Sequence, residues 1–271
     1  MEYKKKYGPW GIVIGASMGI GACCARELAE KGLNVVLCAR SKDKLEKVAG
    51  QIEADFGVKT KVIPVDWTSE ERETLLDEGL KDIDLGCAVY SAAWGYQGAF
   101  LKGSLEEYKR INSLNVDGAL FFSMYFGKMF CEKKRGGLLF LGSGAGYTGC
   151  AYMSSYAGSK GFEAMLALSL YTEFKPYNVD VTVAYIGAVD TPGLRGLFPS
   201  EESFKAQNPA TPEDTAKESI DALGKGATVF VGDIMKQAYM GSRMLELNQY
   251  IDISGQATVA MNYGGEAPEQ F

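Results

Sequence analysis

Short runs of β-branched and apolar residues alternate along the chain with longer amphipathic stretches, and this alternation predicts the architecture. Ile12–Ile14, Asn34–Ala39, Lys61–Val65, Cys87–Tyr90, Leu138–Leu141, Val179–Tyr185 and Thr228–Val231 read as strands. Between them, Ile20–Lys31, Lys42–Phe56, Glu70–Glu78, Leu114–Cys131, Tyr156–Phe174 and Pro212–Leu223 read as helices. Strands this short and apolar are buried on both faces, and their alternation with helices makes the sheet parallel. The expected fold class is α/β, a doubly wound parallel sheet of seven strands with helices on both faces. Right-handed crossovers gather the strand C-termini on one edge, where ligands bind. No repeat, low-complexity tract or linker interrupts the pattern, so one domain is expected over 1–271. Pro192–Asn208 is the least regular stretch, a candidate lid or a plain surface insertion. Met240–Phe271 shows little periodicity; it can cover a site or a partner subunit, or fray.

Composition narrows the function. Hydrophobic residues make up 46% and charged residues 23%, as in ordinary globular proteins. No stretch approaches the ~20 apolar residues of a membrane span, and the start, with Lys4–Lys6 read as a solvated tail, is no secretory signal. The six cysteines form no C-x-x-C pair and sit mostly in apolar runs, which points to a reducing compartment and a cytoplasmic protein. A net charge of −6 argues against a nucleic-acid partner. The chain has no histidine. That excludes a Ser-His-Asp hydrolase, H-E-x-x-H zinc chemistry and imidazole acid–base catalysis. Proton transfer is left to Tyr, Lys, Asp, Glu or Cys, and no metal site is expected.

Three local patterns carry chemistry. Gly15-Ala-Ser-Met-Gly19-Ile-Gly21 lies between the first strand and a helix. Glycines there let the backbone turn sharply and approach a pyrophosphate, which the helix N-terminus attracts. After the second strand stand Ala39, Arg40 and Ser41, where a carboxylate would select the ribose diol of NAD. A guanidinium and a hydroxyl instead suit a 2′-phosphate, which favours NADP(H). Asp66 and Trp67 follow the third strand, where an adenine edge would lie, although Asp66 can equally cap the next helix. The third pattern is Tyr156-Ala-Gly-Ser-Lys160 at the start of a helix, with Ser143 upstream at a strand end. Residues four apart share a helix face, and a nearby ammonium favours the phenolate of a group that otherwise titrates near ~10.

Together Gly15, Gly19, Gly21, Asn115, Ser143, Tyr156 and Lys160 resemble the glycine motif and Asn-Ser-Tyr-Lys tetrad of short-chain dehydrogenases/reductases, from about Trp10 to Thr191. The resemblance implies a Rossmann fold with a cofactor half at about 8–140 and a catalytic and substrate half at about 141–271. It also implies that Tyr156 passes the proton, Lys160 binds the nicotinamide ribose, Ser143 holds the substrate oxygen and Asn115 holds a water leading to Lys160. Thr191 matches the residue that contacts the carboxamide. The cofactor-binding set becomes Gly15, Ser17, Met18, Gly19, Ile20, Gly21, Arg40, Ser41, Asp66, Trp67, Ala92, Tyr156, Lys160, Val189 and Thr191. Family members commonly pair two long helices, here Leu114–Cys131 and Tyr156–Phe174, into a homodimer or homotetramer.

Within the family, Lys6–Gly11 and Cys38–Leu45 are similar to the subgroup of 17β-hydroxysteroid dehydrogenases, long-chain 3-oxoacyl-CoA reductases and bacterial bile-acid dehydrogenases. The last is the nearer likeness, because the first two are typically membrane-anchored. The family pattern is broken at Ile14, at Tyr90-Ser-Ala-Ala93 and at Ile186. With the usual Asn pair missing after the fourth strand, the sheet needs another brace, for which Ser91 is the candidate. A bulky, apolar small-molecule substrate such as a steroid or bile acid is expected to meet Trp94, Tyr147, Tyr152, Leu194 and Phe198. Alternatives are a 3-oxoacyl-thioester reductase, which needs a basic rim, and a non-catalytic NADPH-binding sensor.

Overall fold

All seven expected strands form, and they make one sheet. The computed structural model describes residues 2–198 and 200–271, so one residue of the candidate lid, Pro199, lies outside the described residues. The elements run α1 (Glu2–Tyr7), β1 (Trp10–Ile14), α2 (Gly19–Glu30), β2 (Asn34–Ala39), α3 (Lys42–Phe56), β3 (Thr60–Pro64), α4 (Arg72–Leu80) and β4 (Leu85–Tyr90). Next come α5 (Leu105–Asn112), α6 (Gly118–Lys133), β5 (Gly136–Ser143), α7 (Ala145–Thr148), α8 (Ser154–Phe174) and β6 (Val179–Ile186). The chain ends with α9 (Pro192–Arg195), α10 (Glu201–Lys205), α11 (Pro212–Ala222), β7 (Thr228–Phe230), α12 (Gly232–Met244) and α13 (Leu247–Tyr263).

The sheet order is β3-β2-β1-β4-β5-β6-β7, parallel throughout. Ile14 at the end of β1 is level with Cys38 on one side and Tyr90 on the other. The winding reverses between β1 and β4, and such switch points open a crevice beyond the strand ends. Alternate side chains feed two cores. Ile12, Val36, Tyr90, Phe122, Phe140 and Val183 pack on one face, and Val13, Leu37, Leu28, Val89, Leu139 and Ile220 on the other.

Three departures from the sequence reading matter for the site. The N-terminal segment is not a free tail. It forms α1, whose Tyr7 is buried and donates to Asp180 Oδ2 at 2.7 Å, while Lys6 pairs with the same carboxylate at 2.6 Å. The helix expected from Leu114 begins earlier, at Leu105, and passes through a π-helical segment, Ser113–Asp117, before α6. Met240–Phe271, without visible period, supplies the end of α12 and all of α13.

Candidate active site

A cleft of about 870 Å³ opens over the C-terminal ends of β1, β4, β5 and β6. Its floor at one end is the turn from β1 into α2. Gly15 adopts φ +92°, and a Cβ on Gly21 would come within 2.2 Å of Gly15 O. Only glycine permits that backbone crossing. Met18 caps α2 without a side-chain hydrogen bond, so the N-terminal N–H groups of a 12-residue helix face the cleft unclaimed by a capping side chain. Ser17, Met18, Gly19 and Ile20 all line it.

Beyond β2, Arg40 is exposed and Ser41 caps α3 without using its hydroxyl on the helix. Lys44, not foreseen from the sequence, lines the cleft one turn further on. Asp66 accepts from Thr68 N at 3.0 Å and Thr68 Oγ1 at 2.8 Å. Burial alone would raise its pKa, but those bonds and the charges of Arg40 and Arg110 outweigh it and hold the carboxyl below its usual range. Trp67 borders the cleft, yet its indole is 4% exposed, donates to Gly118 O at 3.0 Å and packs on Phe121. The indole ring belongs to the core, while the residue itself still lines the cleft beside Asp66.

At the other end lie Ser143, Tyr156 and Lys160. Ser143 closes β5, and its Oγ accepts from Ala145 N at 3.2 Å, which leaves the hydroxyl proton free to donate. Tyr156, in the first turn of α8, packs its ring so close to Gly95 that a Cβ there would stand 3.4 Å from Tyr156 Cδ2. Lys160, one turn on, is buried. Its Nζ donates to Leu141 O at 2.9 Å and to Glu163 Oε2 and Oε1 at 3.0 and 3.2 Å. Burial, the largest single influence, lowers the Lys160 pKa, but the charge and hydrogen bonds of Glu163 together with Tyr156 more than compensate, so the ammonium is held above its ordinary range.

Asn115 lies in the π segment and is wholly buried. Its Oδ1 accepts from Trp94 N, and its Nδ2 donates to Trp94 O and Ser159 Oγ, each at 2.9 Å. That amide, rather than the Ser91 hydroxyl, braces the loop after β4. With both amide hydrogens spent, a water leading to Lys160 would have to be held by the Asn115 main chain.

The remaining expected contacts divide. Ala92, Trp94, Val189, Thr191, Leu194 and Phe198 line the cleft. Thr191 Oγ1 accepts from Leu194 N at 3.2 Å, and Trp94 is fixed by a bond to Glu107 at 2.6 Å beneath the Arg110 guanidinium. Tyr147 and Tyr152 do not line it. Tyr147 is wedged among Tyr185, Phe230 and Tyr239, and Tyr152 turns at φ 62° to pack on Tyr263 of α13. In their place α13 supplies Thr258, Met261 and Asn262 to the cleft wall. Asn262 accepts from Gln207 Nε2 at 2.7 Å, which ties α13 to the segment after α10. The candidate lid is stapled by Arg195, which donates to both oxygens of Asp190 (2.6 and 2.7 Å) and to Glu201 (2.9 Å).

Acid–base options in the cleft are few. Cys150 is its one thiol near Tyr156, and burial pushes that thiol up, so it stays protonated. The buried Cys87 thiol, elsewhere in the core, is pushed up to about 12. The residues present fit a nicotinamide dinucleotide: a glycine turn and uncapped helix for the pyrophosphate, and Arg40, Ser41 and Lys44 for a phosphate at the adenosine end. Among the described residues no helix is long and apolar enough to cross a membrane.

A family model described as short chain dehydrogenase matches residues 10–202. The 7β-hydroxysteroid dehydrogenase of Clostridium sardiniense is 31% identical over 252 residues, covering 93% of this chain and 96% of that protein. A very-long-chain 3-oxoacyl-CoA reductase-like protein of Arabidopsis thaliana is 29% identical over 216 residues, 74% of this chain and 69% of that protein. A structure solved for insights into 7β-hydroxysteroid dehydrogenase stereoselectivity superposes with a TM-score of 0.83 at 26% identity, over 93% of this chain and 98% of that one. Sheet order, glycine turn and family match agree: the chain belongs to the short-chain dehydrogenase family.

Proposed function

We propose that this chain is an NADP(H)-dependent oxidoreductase that interconverts a secondary alcohol and a ketone on a hydroxysteroid, with a bile acid as the substrate class. The observation that carries the reading is the convergence of Ser143, Tyr156 and Lys160 on the cleft that also holds the glycine turn and Arg40. Bound nicotinamide supplies the hydride; orientation and proton transfer fall to the chain's own residues. Tyr156 Oη gives a proton to the substrate oxygen in reduction and takes it back in oxidation. Ser143 Oγ, aimed by the Ala145 N–H, donates to that same oxygen. Leu194, Leu197, Phe198, Met153 and Met261 offer a rigid hydrocarbon the apolar wall it needs. Six free thiols support a reducing, cytoplasmic setting.

Relatedness to the Clostridium sardiniense enzyme makes the 7β-hydroxyl the first position to test. Nicotinamide absorbance is followed with NADP⁺ and NAD⁺ against bile acids bearing one hydroxyl each. Turnover at one position with NADP⁺ is expected; silence across the panel despite tight NADPH binding would overturn the steroid assignment. The thioester alternative lacks support in the lid, where Arg195 is already chelated by two carboxylates and Lys205 leans toward Glu201 at 3.7 Å. An intact Ser-Tyr-Lys set speaks against a non-catalytic sensor.

A homodimer or homotetramer is part of the proposal. Leu120 and Met124 on α6 and Phe162 and Met165 on α8 are exposed apolar side chains, with Met124 67% and Met165 57% accessible. Paired helices would cover them. Light scattering should report an oligomer for the wild type and a smaller species for Met124→Glu/Met165→Glu; an unchanged mass would move the interface elsewhere.

A further inference from the structure

The Lys160–Glu163 pair has no counterpart in the motif that identifies the site. Tyr156, Lys160 and Glu163 fall on one stripe of α8, with Tyr156 and Lys160 on the cleft and Glu163 behind them in the core. The carboxylate is 0% exposed and the ammonium side chain 3% exposed. All three Nζ donors are engaged, one by Leu141 O and two by the oxygens of Glu163. A buried ammonium without an anion sheds its proton, whereas a buried pair with good hydrogen bonds keeps its charges.

We propose that Glu163 is a positioning residue that keeps Lys160 charged and stationed at the cleft wall, ready to release one N–H donor to the ribose of a bound dinucleotide. The proposal rests on the cofactor reading above. Glu163 touches neither substrate nor cofactor and acts through Lys160. The other titratable group facing it is Tyr90 of β4, whose hydroxyl is committed to Leu114 O; Arg72 of α4 lies beyond Tyr90. On the Lys160 side the facing titratable group is Tyr156.

The sign follows from the opposing causes on Lys160. Its folded-state pKa is raised because the charge and hydrogen bonds of Glu163, with a smaller contribution from Tyr156, together outweigh burial. Removing that charge leaves burial, which favours the neutral amine, so the pH at which the ammonium is lost must fall. Fluorescence titration with NADPH is run from about pH 6 to about pH 10, with a melting curve at each pH. Wild-type affinity should persist far into the alkaline range. Glu163→Gln should lose about tenfold or more in affinity at the alkaline end while binding normally at the acid end. Glu163→Asp, whose carboxylate recedes by one methylene, should show a smaller loss in the same direction, and it carries the test if the Gln variant folds poorly.

Wild-type affinity in both variants at every pH, or an equal loss at every pH that tracks the melting temperature, would overturn the proposal. The second result is what a merely structural role would give. If the pH-dependent pattern appears in a protein that turns over no ketone, the positioning role stands and the reduction chemistry alone fails.

Discussion

Tyr156→Phe is expected to lower kcat by about 100- to 10,000-fold in both directions while leaving the NADPH dissociation constant nearly unchanged. The substitution keeps the ring that packs against Gly95 and removes only the hydroxyl. Nothing in the cleft can take over its role. The chain has no histidine, the Cys150 thiol is held protonated by burial, and Asp66 is held as an anion by Thr68 at the adenosine end. Ser143 can polarise the substrate oxygen but lacks a base to exchange its proton with. Steady-state kinetics and a fluorescence titration on one preparation separate the two effects. A Phe variant with near-normal turnover would mean that the proton travels by another route.

The second large effect concerns cofactor choice. Arg40→Ala is expected to raise KM for NADPH by about 10- to 100-fold and to leave NADH kinetics nearly as they were. The logic is local. Position 39 is an alanine, so no carboxylate stands where the ribose diol of NAD would be bound, and Ser41 and Lys44 flank the arginine on the first turn of α3. Those two neighbours would retain part of the phosphate affinity, which bounds the loss. Equal losses with both cofactors would instead assign Arg40 to folding of the loop.

The sheet, its winding and the Tyr156–Lys160 stripe of α8 are legible because each is written in a short-range pattern: apolar runs, a glycine turn and a four-residue spacing. The segment from Leu105 to Lys133 is not. Its first part, Leu105–Asn112, is mostly polar and the apolar stretch begins only in α6, and hydropathy carries no mark of the wider turn that the π segment Ser113–Asp117 makes between them. Asn115 was found through its family likeness, but its brace across to Trp94 is a long-range contact that spacing does not encode. Tyr147 and Tyr152 lie off the cleft because an aromatic beside such a motif is equally suited to packing: Tyr147 meets Tyr185, Phe230 and Tyr239 edge-on, and Tyr152 meets Tyr263. Helix α13 hid its role because its cleft face combines Thr258, Met261 and Asn262, which leaves no clear apolar stripe. Glu163 was invisible for the opposite reason: three residues from a lysine, it reads as a solvated helix pair, and only the packing puts it in the core.

Hydride transfer with Tyr156 as the proton donor is tested most directly by following the hydride itself. NADPH carrying deuterium at the transferring position of C4 is incubated with the enzyme and a keto bile acid, and the alcohol product is examined by mass spectrometry and NMR. One deuterium is expected at the new carbinol carbon with the wild type, and almost no product with Tyr156→Phe. Product without the label, or label that appears equally with Tyr156→Phe, would contradict it.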